Sequence, residues 1–532
     1  MGTTRRQLRK AVNKIRTNVV NDTYEAVPRY GTSDSSSDPE ETPQKVLRLK
    51  KEVGLFSSIT LLLGCIIGTG IFVSPGTVLK NAGSVEIALL VWTAAGLNSL
   101  IGAFCFVELG ALLPASGGDY AYFLAAGKAL GTYGDFPAFL YAWSCMAMLD
   151  PTSISVEGLT FSAYVLSLLY PECTPPNAAT VLIALLYIIA ANAANSFSVS
   201  ISARVQDIFS GLKCALLLVI IMTGTLYSFK VNHIKDPSYS SDNISPGDVA
   251  AAFYGAAYTY SGWRAVNNIA EEVKNPARNI PLAVFASVVI TTAAYLLTNL
   301  AFFIAMDADT IVASDAIAVT FIRSTWGPSL SVLVPLIISL SLFGSTCAEI
   351  FVSARITFAA ARQGHLASFL SYIHVNTAVP LASIITRCML SLLYTMTGSV
   401  MFLIEASVLF ETTWDIASVV ALLILRRSMS KTTRTIRVPT ALVFLRLVIC
   451  VAMATVPLSQ VHRYRYHYIA VFVTWLSGIF YYVAFVRLKM RLPGGDAASV
   501  IMQKCLNSAA CVNELDLILR HRSESEASLI RD

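Results

Sequence analysis

Two stretches decide how this chain is built: GCIIGTGIFVSP, from Gly64 to Pro75, and FYGAAYTYSGW, from Phe253 to Trp263. Each lies in an apolar run long enough to cross a bilayer, which takes about 20 residues. Each is also interrupted by small residues, Gly64, Gly68 and Gly70 in the first and Gly255, Ser261 and Gly262 in the second. A plain membrane anchor has no use for such breaks, because backbone at membrane depth leaves the helix only where protein covers it or a cavity receives it. Matched breaks five spans apart are the pattern of inverted repeats that enclose a midplane binding site. The same small residues would also let helices pack closely, and both readings stand at this point.

Outward from these stretches, apolar runs recur at roughly 54–79, 87–113, 136–169, 179–198, 206–228, 248–266, 281–305, 330–358, 379–398, 401–425, 438–458 and 467–486, which predicts about twelve transmembrane helices. Composition agrees. The 532 residues are 55% hydrophobic and 14% charged, with a mean hydropathy of +0.62, whereas soluble domains carry about 25% charged residues. The expected fold class is therefore an all-α membrane protein, with a twelve-helix membrane domain at 49–490 between a disordered tail at 1–48 and a second tail at 491–532. The first tail is basic and then Ser/Asp/Glu/Pro-rich, with no apolar core of the kind a cleaved signal peptide has.

Basic residues in alternate loops (Arg204; Lys274 and Arg278; Arg355 and Arg362; Arg426, Arg427, Lys431, Arg434 and Arg437) put both termini in the cytoplasm. The cluster His462, Arg463, Arg465 and His467 breaks the rule, and nothing in the sequence accounts for it. The net charge of +6 is too dispersed to imply a nucleic-acid partner. No HExxH, GxSxG or His/Cys cluster is present, so neither an enzyme nor a metal or other cofactor is expected.

Further strings narrow the reading: FCFVELGALLPASGGDYAYF (Phe104 to Phe123), SARVQDIFSGLK (Ser202 to Lys213), EEVKNPARNIPLA (Glu271 to Ala283), SDAIAVTF (Ser314 to Phe321) and SARITFAAARQGHL (Ser353 to Leu366). With GCIIGTGIFVSP they resemble the amino acid–polyamine–organocation superfamily, and within it the light, transporting subunits of heteromeric amino-acid transporters. These light chains are of L-type or y+L-type, and YSGW (Tyr260 to Trp263), SDAIAVTF and NELDL (Asn513 to Leu517) are similar to the y+L-type members, which exchange cationic against neutral amino acids. The resemblance implies a LeuT-type 5+5 inverted repeat with helices 1 and 6 broken. It also implies a plasma-membrane antiporter exchanging large neutral and/or cationic L-amino acids by alternating access. A non-transporting sensor, or an exchanger of cystine or anionic amino acids, is the alternative.

A zwitterion away from bulk water needs partners for its carboxylate and its ammonium. Unwound backbone at Gly68, Thr69 and Gly70 is expected to offer N–H groups at a helix N-terminus to the carboxylate, and carbonyls at Ile66 and from Tyr258 through Thr259 to Ser261 to accept from the ammonium. A side chain at Gly70 is accordingly expected to fill the carboxylate site. By resemblance Tyr258 is an aromatic gate and Lys213 occupies the place of a coupling sodium. Packing and snorkelling are their respective plain readings.

Intramembrane charges are functional hypotheses by default, so Glu349, Arg387 and Arg264 stand out. Asp150 carries a sign that suits cationic cargo, although it also suits a helix cap beside Pro151. Glu349 is expected to pair with Lys213. Of ten cysteines, Cys173 alone is expected on the oxidising face. An unpaired extracellular cysteine suggests an intermolecular disulfide or a free thiol, and the resemblance implies a bridge to a single-span glycoprotein heavy chain. Asn243, in NIS, is a candidate glycosylation site.

Overall fold

The computed structural model describes residues 54–510, apart from 114–117, 132–133, 171–172, 174, 198, 230–243, 265–272, 315, 375–378, 430–435 and 491–494. The 1–48 tail, the NELDL string and Asn243 lie outside the described residues. Helices dominate because a chain this apolar must satisfy each backbone polar group within its own segment. In order they are α1 (Leu55–Ile66), α2 (Gly70–Ala82), α3 (Val85–Leu112), α4 (Gly118–Leu130), α5 (Phe136–Ser144), α6 (Asp150–Leu169), α7 (Asn177–Phe197), α8 (Val199–Tyr227) and α9 (Pro246–Thr259). There follow α10 (Pro276–Ala305), α11 (Ala308–Ala313), α12 (Ile317–Trp326), α13 (Leu333–Arg362), α14 (Leu381–Thr395), α15 (Val400–Ser428), α16 (Thr440–Thr455), α17 (Val461–Tyr481) and α18 (Gly495–Cys505).

Eight described helical stretches are long and apolar enough to cross a membrane, and α1 with α2, bent by 51°, makes a ninth if taken as one broken span. The chain is thus an all-α, multi-pass membrane protein. That count is of the described residues; of the other stretches the sequence reads as spans, α8 enters only over Gly211–Tyr227, while α9 stops after 14 residues at its break and α14 has only 15. Neither reaches the length of an uninterrupted span.

Local chemistry sets the helix ends. Ser84 accepts from the Ile87 N–H at the start of α3, and Ser245 with Asp248 forms a capping box ahead of Pro246 at the start of α9. Gly83 ends α2 at φ 69°, a backbone state that favours glycine. Between α5 and α6 a π-helical turn, Cys145–Leu149, widens the helix just before Asp150.

The broken helices lie at the centre. α2 packs on α9, α1 on α10, and α13 on α8 and α6. Past α13, Tyr372–His374 forms strand β1, which pairs antiparallel with β2 (Ser508–Ala510), Tyr372 facing Ala510. Part of the stretch beyond 490 therefore folds back on the bundle through α18 and β2.

Candidate functional site

The first break runs through Ile67, Gly68 and Thr69; the second begins at Tyr260 and continues as a 3-10 turn over 261–264. Glycines interlock them. A Cβ on Gly70 would stand 2.6–2.8 Å from Thr259, and one on Gly262 would stand 2.1 Å from the Cys65 carbonyl oxygen. Gly70 therefore turns its bare face to Thr259 of the other broken helix, where the sequence predicts a side chain filling a carboxylate site. Gly68 is the open one, with only the Ile66 oxygen near, at 4.0 Å.

Tyr295 of α10 fastens the two breaks from the side. Its hydroxyl lies 3.0 Å from the Ile66 carbonyl and 3.1 Å from that of Thr259. Ile66 O also accepts from the Gly68 N–H at 2.9 Å, so both lone pairs of that carbonyl are engaged. Tyr260 points away, donating to Trp92 O at 3.2 Å within a cluster of Trp92, Tyr260 and Tyr295 rings. By the geometry of any helix start, the N–H groups of Gly70 and Ile71 have no acceptor within α2.

Lys213 of α8 is 3% exposed and donates to Ile67 O at 3.1 Å and to Ser345 Oγ at 2.5 Å. An ammonium thus holds the first unwound carbonyl against α13, which is not the geometry of a side chain snorkelling to an interface. The pairing of Lys213 with Glu349 that the sequence led us to expect is not among the described ion pairs. The carboxylate that acts on Lys213 is Glu157 of α6, whose oxygen accepts from Thr346 Oγ1. Geometry explains the difference: Ser345 faces Lys213, whereas Glu349, one turn on, lies with Ser153, Glu157, Asp150 and Arg387.

Asp150 and Arg387 come together. Arg387 Nη2 lies 2.5 Å from Asp150 Oδ2, and Arg387 also donates to Thr357 Oγ1 at 2.9 and 3.2 Å. Tyr258 stands beside Thr69 and Ser153 and feels the charges of Glu157 and Glu349. Gly68, Ser153, Tyr258, Ser261, Ser345 and Glu349 are all half-buried. Thr69 and Thr259 are buried, and Cys173 is exposed between α6 and α7.

Arg264, just past the second break, anchors a separate ionic cluster. It contacts Asp119 of α4 at 3.6 Å, Glu411 of α15 at 3.2 Å and Asp415 of α15, and Asp415 also receives Arg446 of α16 at 2.6 Å. Sequence reasoning missed Glu157, although an acid inside an apolar span is a legible signal. It also missed Tyr295 and Ser345, which carry no such signal.

A bundle whose two broken helices meet glycine to backbone, with a buried cation on the unwound carbonyl, is the architecture of a membrane permease. The chain belongs to the amino acid permease family, whose model matches residues 53–486. It is similar to the human b(0,+)-type amino acid transporter 1, at 34% identity over 446 residues, covering 84% of this chain and 90% of the relative. It is likewise similar to the human large neutral amino acids transporter small subunit 2, at 38% identity over 389 residues, 72% of this chain and 71% of the relative. The mouse b(0,+)-type transporter is 32% identical over 450 residues.

Proposed function

We propose that this chain is an amino-acid antiporter that exchanges large neutral and/or cationic L-amino acids across the plasma membrane by alternating access. The observation that carries this reading is the apposition of the two helix breaks, Gly70 on Thr259 and Gly262 on Cys65, with Lys213 on the Ile67 carbonyl. Unwound backbone enclosed in a membrane protein supplies the N–H and C=O groups a zwitterion needs. The carboxylate would meet the N–H groups of Thr69 and Gly70, the Gly68 N–H being held by the Ile66 carbonyl. The ammonium would meet carbonyls on the Tyr258–Ser261 side, with Tyr258 closing over the cargo. Lys213 would fill the place of a coupling cation, so the basic cycle needs no sodium.

Family membership and the relatives' printed activities support this reading. It carries with it twelve spans in a 5+5 inverted repeat with both termini cytoplasmic. The exposed thiol of Cys173 and the small-subunit relative support a disulfide to a single-span glycoprotein heavy chain. Uptake of labelled leucine and arginine into vesicles, with and without unlabelled amino acid inside, tests the proposal. Exchange predicts uptake that rises with internal substrate; uptake indifferent to it would sink antiport.

A further inference from the structure

Three carboxylates and two cations share the centre of the bundle, and the structure shows how they divide. Arg387 is taken by Asp150 at 2.5 Å. Lys213 is taken by the Ile67 carbonyl and Ser345, with Glu157 as its nearby carboxylate. Glu349 is left over: among the described residues no cation lies within ion-pair distance of it, and its strongest charged neighbour is the like-charged Glu157. A carboxylate removed from water is costly unless a proton or a counter-charge neutralises it, and a cationic cargo would supply the second.

Glu349 lies next to the proposed cargo site. Glu349 is half-buried on α13 one turn from Ser345, and it lies beside Ser153, which in turn stands beside the Tyr258 hydroxyl and so borders Thr69 at the first break. Asp150, the other acid whose sign suits cationic cargo, already has its cation. We infer that Glu349 recognises the cationic side chain of the cargo, the ammonium of lysine or the guanidinium of arginine, and that Asp150 with Arg387 is a fixed strut between α6 and α14. A planar guanidinium offers paired donors to a carboxylate. Neutral cargo leaves the same position without its counter-ion. This inference rests on the amino-acid exchange proposed above.

The test reconstitutes the full-length chain and measures inhibition of labelled leucine uptake by arginine, citrulline and unlabelled leucine. Citrulline keeps the length of arginine and lacks its charge. Wild-type protein should favour arginine over citrulline at least tenfold, Glu349→Gln should erase that preference, and leucine should hold within about threefold. Retention of the preference in Glu349→Gln, or parallel weakening of arginine and leucine, would overturn the assignment. If Glu349→Gln does not fold, Glu349→Asp decides. Drawing the carboxylate back by one methylene should weaken arginine at least threefold against leucine, and an unchanged ratio would count against the role. A wild-type chain that exchanges leucine but ignores arginine defeats this assignment and leaves exchange standing. One that moves neither defeats exchange, and the assignment with it.

Discussion

Arg387 and Asp150 meet at 2.5 Å in the middle of the bundle, with the arginine wholly enclosed and also bonded to Thr357. The contact joins α14, too short to stand as an uninterrupted span, to α6 just after its π-helical turn. Removing one partner leaves a charge without compensation, at a cost of about 3–5 kcal/mol. Arg387→Leu and Asp150→Asn should each reduce the folded protein sharply, as read by size-exclusion of detergent extracts. The double variant should recover part of the loss, because coupled sites depart from additivity. Strictly additive losses would show that the pair is not coupled.

The glycines of the two breaks should separate by mutation. Gly70→Ala and Gly262→Ala place a methyl within 3 Å of Thr259 and of the Cys65 backbone respectively, and should therefore disturb folding as well as uptake. Gly68→Ala meets open space and should yield normal amounts of protein whose leucine affinity is weakened at least threefold. Poor folding of Gly68→Ala beside normal Gly70→Ala would reverse the assignment of open and closed faces.

Lys213→Met keeps much of the side-chain length and removes the donor to Ile67 O and Ser345 Oγ. A hydrogen bond from a charged donor contributes about 1.5–3 kcal/mol, so exchange should fall at least tenfold while the protein still reaches the membrane. Ser345→Ala, which leaves the Ile67 contact in place, should have a milder effect. Equal effects in labelled-leucine uptake would argue that Ser345, not the Ile67 carbonyl, is the contact that matters.

Asp415 serves two arginines at once, Arg264 after the second break and Arg446 of α16. Asp415→Asn should lower the melting temperature of the purified protein by more than Glu411→Gln does, since Glu411 meets Arg264 alone among the described ion pairs. The reverse order in a thermal-shift measurement would move the centre of the cluster to Glu411.

If the proposed disulfide to a heavy chain forms, Cys173→Ser should remove the high-mass band expected on non-reducing gels of the two chains expressed together, while surface delivery through non-covalent contacts survives. Cys505, the other exposed cysteine among the described residues, belongs to a tail expected in the cytosol, where thiols stay reduced. A band that persists in Cys173→Ser but is lost in Cys505→Ser would reverse that orientation.

The sequence by itself determined the solvent, the helical class, the two breaks and the family, because each is written in local composition: apolar runs of bilayer length, small residues interrupting two of them, and ordered motifs across most of the chain. It also flagged Lys213, Asp150, Glu349 and Arg387, since a charge in an apolar run is visible without a fold. Which charge meets which partner was decided only by the tertiary structure. Asp150 and Arg387 are more than two hundred positions apart, and nothing local says that α6 and α14 bring them together. Ser345 and Glu349 differ by one helical turn, yet that turn separates the hydroxyl that meets Lys213 from the carboxylate that lies beside Ser153. The same holds for Gly70, whose bare face could have opened on cargo or on a neighbouring helix until the packing of α2 on α9 turned it toward Thr259. Pairing depends on how helices cross and rotate about their axes, which is set by the whole bundle and not by any one segment.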